Sequence, residues 1–150
     1  MGRREDLIRA EHARWEELNG LVRRLASEQL LLPGTVAGGW SVKDLMWHIA
    51  AWSADAARQL ERMRAGTFEP DREEDTDTIN ARWLEESRRL DLETVKAGWY
   101  SARTRMLEEY GNAVGLPADA DDWFEETGPL HYEEHLPDMR AWVAELTSER

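Results

Sequence analysis

The chain has 150 residues, of which 31 are acidic and 19 are basic, and its formal net charge is −12. A surface of this sign repels nucleic acids and anionic membranes, so we expect neither as a partner. The length suits one domain, residues 1–150. The chain has no cysteine, which excludes disulfides, thiolate ligands and a cysteine nucleophile of its own.

The first predicted helix runs from about Arg4 to Gln29, where apolar residues recur at intervals of three and four. Pro33 and Gly34 then break the pattern. The N-terminal stretch MGRREDLIRA is charged and does not look like a signal peptide, and no run of 18 apolar residues occurs. We therefore expect a soluble cytoplasmic protein.

The second predicted helix has a clear beginning and end in the sequence. In GGWSVKDLMWHIAAW, Ser41 is placed to cap the free backbone N–H groups, and Asp44 stands three residues later, as in a capping box. Gly66 marks the end of the helix. The segments REEDTD (72–77) and DADD (119–122) are predicted to be solvated loops.

The third helical region is predicted to start near Thr78, and Asp91 indicates a kink or a second cap within it. The last helix should begin near Pro129, which suits a first helical turn because no backbone hydrogen bond is lost there. Pro137 should kink this helix. No segment alternates with period two, so we predict an all-α, antiparallel four-helix bundle whose third helix is kinked or split.

Three of the four histidines are candidate metal ligands. His131 and His135 are one helical turn apart and should share a face, and His48 lies beside the core stripe of the second helix. Spacing alone also allows exposed or hydrogen-bonded core histidines. Bundles nevertheless build metal sites from inward side chains on facing helices, and three histidines suit a site with one open position. His12 is predicted to be structural or on the surface.

Two motifs resemble a known family. GWSVKDLMWHIAAW (39–52) is similar to the second-helix signature of the DinB-like, YfiT-like four-helix bundles, and HYEEHLPDMRAW (131–142) is similar to their last-helix signature. The likeness covers nearly the whole chain and includes INARW (79–83). It implies one divalent ion, zinc or nickel, held by His48, His131 and His135. Some relatives use mycothiol, bacillithiol or glutathione, and others confer resistance to genotoxins.

Candidate helpers around such a site follow from helical spacing. Asp44, Asp55 and Asp138 could orient an imidazole or move a proton. Trp47 and Trp52 could wall the pocket, although packing is the simpler role. Glu134 is a substitute ligand should one histidine not bind, and the sequence indicates no catalytic residue.

Three functions remain open from the sequence. The first is a metal-dependent transferase or isomerase that acts on a small molecule with a low-molecular-weight thiol. The second is a non-catalytic metal-binding or small-molecule-binding protein, for example one that confers toxin resistance. The third is an interaction bundle with buried histidines. We also expect a homodimer, because bundles with apolar helix faces often pair.

Overall fold

The computed structural model of the protein describes residues 2–148. The chain forms seven α-helices and one short 3₁₀ turn in this range, and it has no β-strand there. In chain order they are α1 (Arg3–Arg23), α2 (Ser27–Leu30), the 3₁₀ turn (Ala37–Gly39), α3 (Val42–Ala65), α4 (Thr76–Arg89), α5 (Leu92–Gly111), α6 (Ala118–Thr127) and α7 (Pro129–Ser148). The all-α prediction is confirmed.

Four long helices, α1, α3, α5 and α7, form the bundle. Helices α1 and α7 run in the same direction, because Arg14 pairs with Glu133 and, further along both helices, Glu17 pairs with Arg140. Helices α1 and α5 run in opposite directions. Glu11 binds Arg103, whereas Asn19, which comes later in α1, accepts a hydrogen bond from Trp99, which comes earlier in α5.

Helices α3 and α5 form the second parallel pair. Lys43, at the start of α3, donates to the carbonyl of Leu90 just before α5, and Glu61 near its end pairs with Arg105. Parallel neighbours need a connection that returns the chain to the starting end. Helix α4 is that connection, and its presence explains why the third helical region is split.

Two caps predicted from the sequence set the ends of these helices. The Ser41 hydroxyl accepts the Asp44 N–H at 3.1 Å, and the Asp44 carboxylate accepts the Ser41 N–H at 3.0 Å. Asp91 accepts the Thr94 N–H at 2.8 Å and begins α5. Gly66 ends α3 with a φ of 77°, a left-handed conformation that costs glycine little.

The first helix is shorter than predicted. Helix α1 ends at Arg23, and the separate α2 begins after Ala26, whose backbone N–H donates to the Gln29 side chain at 2.8 Å. This local hydrogen bond satisfies a backbone N–H group at the start of α2 and so favours a new helix there. Leu25, between the two helices, is buried in the core.

The loop prediction for DADD (119–122) was wrong, because these residues lie within α6. Acidic side chains in a first turn are favoured by the partial positive charge at a helix N-terminus. Two contacts hold α6 in place: the Phe124 ring stacks on Tyr110 with centroids 4.0 Å apart, and Arg3 pairs with Asp122 at 2.9 Å.

Helix α7 remains one helix through Pro137. Pro137 is exposed, so the Glu133 carbonyl that loses its helical donor lies toward solvent. The core runs the length of the bundle and is built from large side chains of all four long helices, for example Leu18, Ile49, Trp99 and Met139. Within residues 2–148, no helix is long and apolar enough to cross a membrane.

Candidate metal centre

Three histidines that are far apart in the sequence converge between α3 and α7. The Nε2 atom of His131 lies 3.1 Å from Nε2 of His48 and 3.1 Å from Nε2 of His135. One potential ligand atom from each ring lies within 4.8 Å of the other two. The remaining histidine, His12, is exposed on α1 and lies outside this cluster.

The helices explain the convergence. His131 and His135 project from one face of α7, since four residues make about one turn. His48 comes from α3, whose buried residues share one hydrophobic cluster with those of α7. Gly128 allows the sharp joint between α6 and α7: its N–H donates to the Phe124 carbonyl at 2.8 Å, and a β-carbon there would approach that oxygen to 2.8 Å. This joint sets the start of α7, and thereby the position of His131 in its first turn.

Burial keeps the three imidazoles neutral. Desolvation, together with the charge of His135, lowers the pKa of His48 to about 4. Desolvation and the two neighbouring histidines hold the pKa of His131 well below its usual range. Desolvation also lowers the pKa of His135, while Glu134 and Asp138 partly oppose this. Neutral imidazoles carry the lone pairs that a metal ion needs.

Two of the three nitrogen separations are close to the spacing around a small divalent ion, and all three ligand atoms lie within 4.8 Å of one another. Two nitrogen ligands of a tetrahedral zinc, each about 2.0–2.1 Å from the ion, lie about 3.3 Å apart. The two Nε2–Nε2 separations of 3.1 Å are close to that value. Without an ion, the donor and acceptor roles of these nitrogens depend on the ring tautomers, and Nε2 of His131, with a single lone pair or a single hydrogen, cannot make a full hydrogen bond to both neighbours. The donor set of three imidazoles therefore could hold a metal ion with a position left open.

The far sides of two rings are enclosed by protein. Nδ1 of His48 and Nδ1 of His131 are buried and have no hydrogen-bond partner among residues 2–148. Trp40 packs edge-on against His48, with ring centroids 5.3 Å apart. These two rings are thus oriented by packing, and not by the carboxylate partners that often orient ligating histidines.

A cavity of about 460 Å³ opens onto the three histidines. It lies among α3, α4, α6, α7 and the loop before α4. Its other lining residues are Trp52, Pro70, Arg72, Thr76, Asn80, Trp123, Glu126, Thr127 and Glu134. This volume suits a small organic molecule next to the imidazoles.

The three aspartates predicted as helpers lie at different places. Asp44 is engaged in the cap with Ser41 and accepts a hydrogen bond from the Ser87 hydroxyl at 2.8 Å. Asp55 is buried and pairs with Arg72. Asp138 is exposed on α7 and acts on His135 through its charge. The contacts of Asp44 are thus with the helix cap and Ser87, and Asp55 is connected to the histidine cavity through Arg72.

The two candidate wall residues separate. Trp52 lines the histidine cavity, and its indole N–H donates to Asn80 at 2.8 Å. Trp47 instead lies in a different groove, where it contacts Gly98 and donates to Glu86 at 3.0 Å. Successive residues of a helix point about 100° apart, so the neighbour of His48 faces another side. Glu134, the substitute ligand, is an exposed residue of the cavity lining.

Sequence reasoning missed Arg72, which it placed in a solvated loop. The Arg72 guanidinium pairs with buried Asp55 and lies over Trp52 at 5.7 Å and over Trp123 at 5.4 Å. Trp123 was missed for a related reason, since α6 was not predicted. A lone arginine in an acidic run gives no periodic signal, so only the folded loop shows its place.

The model of one protein family, described as the mycothiol maleylpyruvate isomerase N-terminal domain, matches residues 12–148. The chain belongs to this family. The mycothiol maleylpyruvate isomerase N-terminal domains are DinB/YfiT-like, so the resemblance inferred from the two histidine motifs is confirmed. No curated protein and no solved structure matches the chain.

Proposed function

We propose that this protein is a divalent-metal-dependent transferase or isomerase that uses a low-molecular-weight thiol cosubstrate. The observation that carries the proposal is the convergence of His48, His131 and His135 at the base of a cavity large enough for a small molecule. Membership of the mycothiol maleylpyruvate isomerase N-terminal domain family supports a mycothiol-like cosubstrate. Zinc and nickel are the ions we propose.

A bound divalent ion would supply a Lewis acid that favours the deprotonated form of a thiol or of water at neutral pH. His48, His131 and His135 would hold it, because burial keeps their lone pairs free. The thiol has to come from outside, since the chain contains no cysteine. Trp52 and Trp123 would exclude water from one side of the reacting groups.

The second candidate is a non-catalytic binding protein, for example a toxin-resistance protein. The cavity itself favours it, because two polar residues of its lining already have protein partners: Arg72 pairs with Asp55, and the Thr127 hydroxyl donates to the Trp123 carbonyl at 2.5 Å. Such a protein would bind the metal ion and a ligand but would not catalyse a reaction.

Metal analysis tests the metal centre. We expect purified protein to carry close to one divalent ion per chain, and a His48→Ala, His131→Ala, His135→Ala variant to carry none. His12→Ala is the matched control, because His12 is exposed and outside the cluster. Equally low metal in all three proteins would refute the proposal.

Thiol dependence separates the two candidates. The metal-loaded protein is incubated with a small electrophile, or with maleylpyruvate, with and without mycothiol. Turnover that requires both thiol and metal supports the enzyme. Ligand binding without turnover favours the binding protein. The cytoplasmic location and the homodimer remain predictions, which cell fractionation and light scattering would test.

A further inference from the structure

The loop between α3 and α4 brings one cation to the histidine cavity. Arg72 is the only arginine or lysine that lines this cavity within the part of the chain that the structure describes. Its side chain is 30% exposed, so it is accessible from the cavity and yet held in place. The buried carboxylate of Asp55 forms an ion pair with Arg72.

Arg72 is positioned more firmly than a surface arginine. Its guanidinium lies over the rings of both Trp52 and Trp123, and the ion pair with Asp55 is a third contact that holds it. Such cation–π contacts and a buried carboxylate reduce the rotational freedom that a ligand would otherwise have to remove.

Donors remain on Arg72 for a ligand. A guanidinium carries five N–H donors, and the hydrogen bond to Asp55 uses the terminal nitrogen Nη2. A fork of parallel donors matches the two oxygens of a carboxylate.

Asn80 adds a second donor at the same place. The Trp52 indole N–H can only donate, so the Asn80 atom that it contacts at 2.8 Å is the amide oxygen. The Asn80 NH₂ group is therefore left as a donor. Arg72 and Asn80 both line the cavity and both contact Trp52, which brings the two residues close to the same tryptophan.

We propose that Arg72, assisted by Asn80, binds a carboxylate of the small molecule that reaches the three histidines. This inference rests on the proposed function and names the substrate class for that site. Glu126 and Glu134 also line the cavity and are exposed, so water weakens their repulsion of an anion.

The test uses metal-free protein, so that a carboxylate cannot bind through the ion. Benzoate and its neutral isostere benzamide are titrated at pH 7.5, and binding is followed by the NMR signals of the Trp52 and Trp123 indole N–H groups. We expect benzoate to bind about tenfold more tightly than benzamide, which is typical of a charge-assisted hydrogen bond. No preference for benzoate would overturn the proposal.

Variants separate binding from a structural role. Arg72→Gln should remove the preference for benzoate, whereas Asp55→Asn, which frees the guanidinium from its internal partner, should keep it. Arg88→Gln is the matched control, because Arg88 is an exposed arginine of α4 outside the cavity. Equal loss in Asp55→Asn and Arg72→Gln would show that the pair only supports the loop and would overturn the proposal.

The double variant Asp55→Asn, Arg72→Gln guards against misfolding, since it leaves no unpaired buried charge. It should unfold at a temperature near that of the wild type and show no preference for benzoate; a retained preference would contradict the carboxylate site. None of these outcomes depends on bound metal. A chain that binds benzoate through Arg72 but carries no ion would refute the proposed function and leave this inference intact.

Discussion

The Nε2 atoms of His48 and His131 lie 3.1 Å apart although 83 residues separate them in the chain. His131 is the central member of the trio, because it lies 3.1 Å from both other Nε2 atoms. Replacing His131 should therefore remove the central one of the three candidate metal ligands.

We predict that His131→Ala weakens zinc binding at least about 100-fold, since a two-histidine site has lost one of its three protein ligands. The measurement is competition with a chromophoric chelator at pH 7.5. His12→Ala should bind zinc as the wild type does. Unchanged affinity in His131→Ala would contradict the assignment of this residue as a ligand.

The metal-free protein should lose stability as the pH falls from 6.5 towards 4. The pKa of His48 is about 4 in the folded protein and about 6.5 in the unfolded chain, so the unfolded chain takes up protons first in this interval. His48 alone should cost about 3 kcal/mol over the whole range. Well above pH 6.5 the His48 imidazole is neutral in both states and this contribution is fully retained.

Urea unfolding of metal-free protein between pH 7.5 and 4.5 checks this dependence. In His48→Asn the free energy of unfolding should fall less steeply with decreasing pH, because one of the three imidazoles with a lowered pKa is missing. Parallel profiles for the two proteins would show that His48 does not titrate as described.

Gly98→Ala should destabilise the protein by roughly 1 kcal/mol or more, because overpacking outweighs the gain in helix propensity. A β-carbon at Gly98 would lie 2.7 Å from the rigid Trp47 ring. Gly20→Ala in α1 is the control, since nothing lies within 4 Å of a β-carbon there, and it should be neutral or stabilising. Thermal unfolding measures both, and a more stable Gly98→Ala would contradict the close contact.

Glu11→Ala should cost about 3–5 kcal/mol, because it leaves buried groups without their partner. Glu11 is fully buried, accepts two hydrogen bonds of 2.8 Å from Arg103, and accepts another from the Tyr132 hydroxyl at 2.9 Å. Glu16→Ala, at an exposed position of the same helix, should change the free energy of unfolding by less than about 0.5 kcal/mol. Similar losses in both variants would refute the buried network.

The parts of the site that the sequence could predict are those governed by helical period. His131 and His135 share a face by spacing, and Trp52 lies four residues from His48, on the cavity side. The same rule, applied strictly, would have set Trp47 aside. The caps at Ser41 and Asp91 were predictable because they depend on neighbours three residues away.

What could not be predicted depends on contacts between distant segments. Arg72 reaches the cavity because Asp55 and two tryptophans hold a loop that has no periodicity of its own. Helix α6 was hidden by its aspartates, and its stability comes from tertiary contacts such as the stacking of Phe124 on Tyr110. The direction of each helix likewise depends on the crossover through α4.

The distance in sequence between His48 and the α7 pair has a consequence for how the chain acquires its ion during folding. A long loop has to close before the three rings meet, which costs entropy and tends to come late. Stopped-flow refolding with a zinc indicator should therefore show metal capture no earlier than the burial of tryptophan, so that ion uptake reports a fully assembled chain.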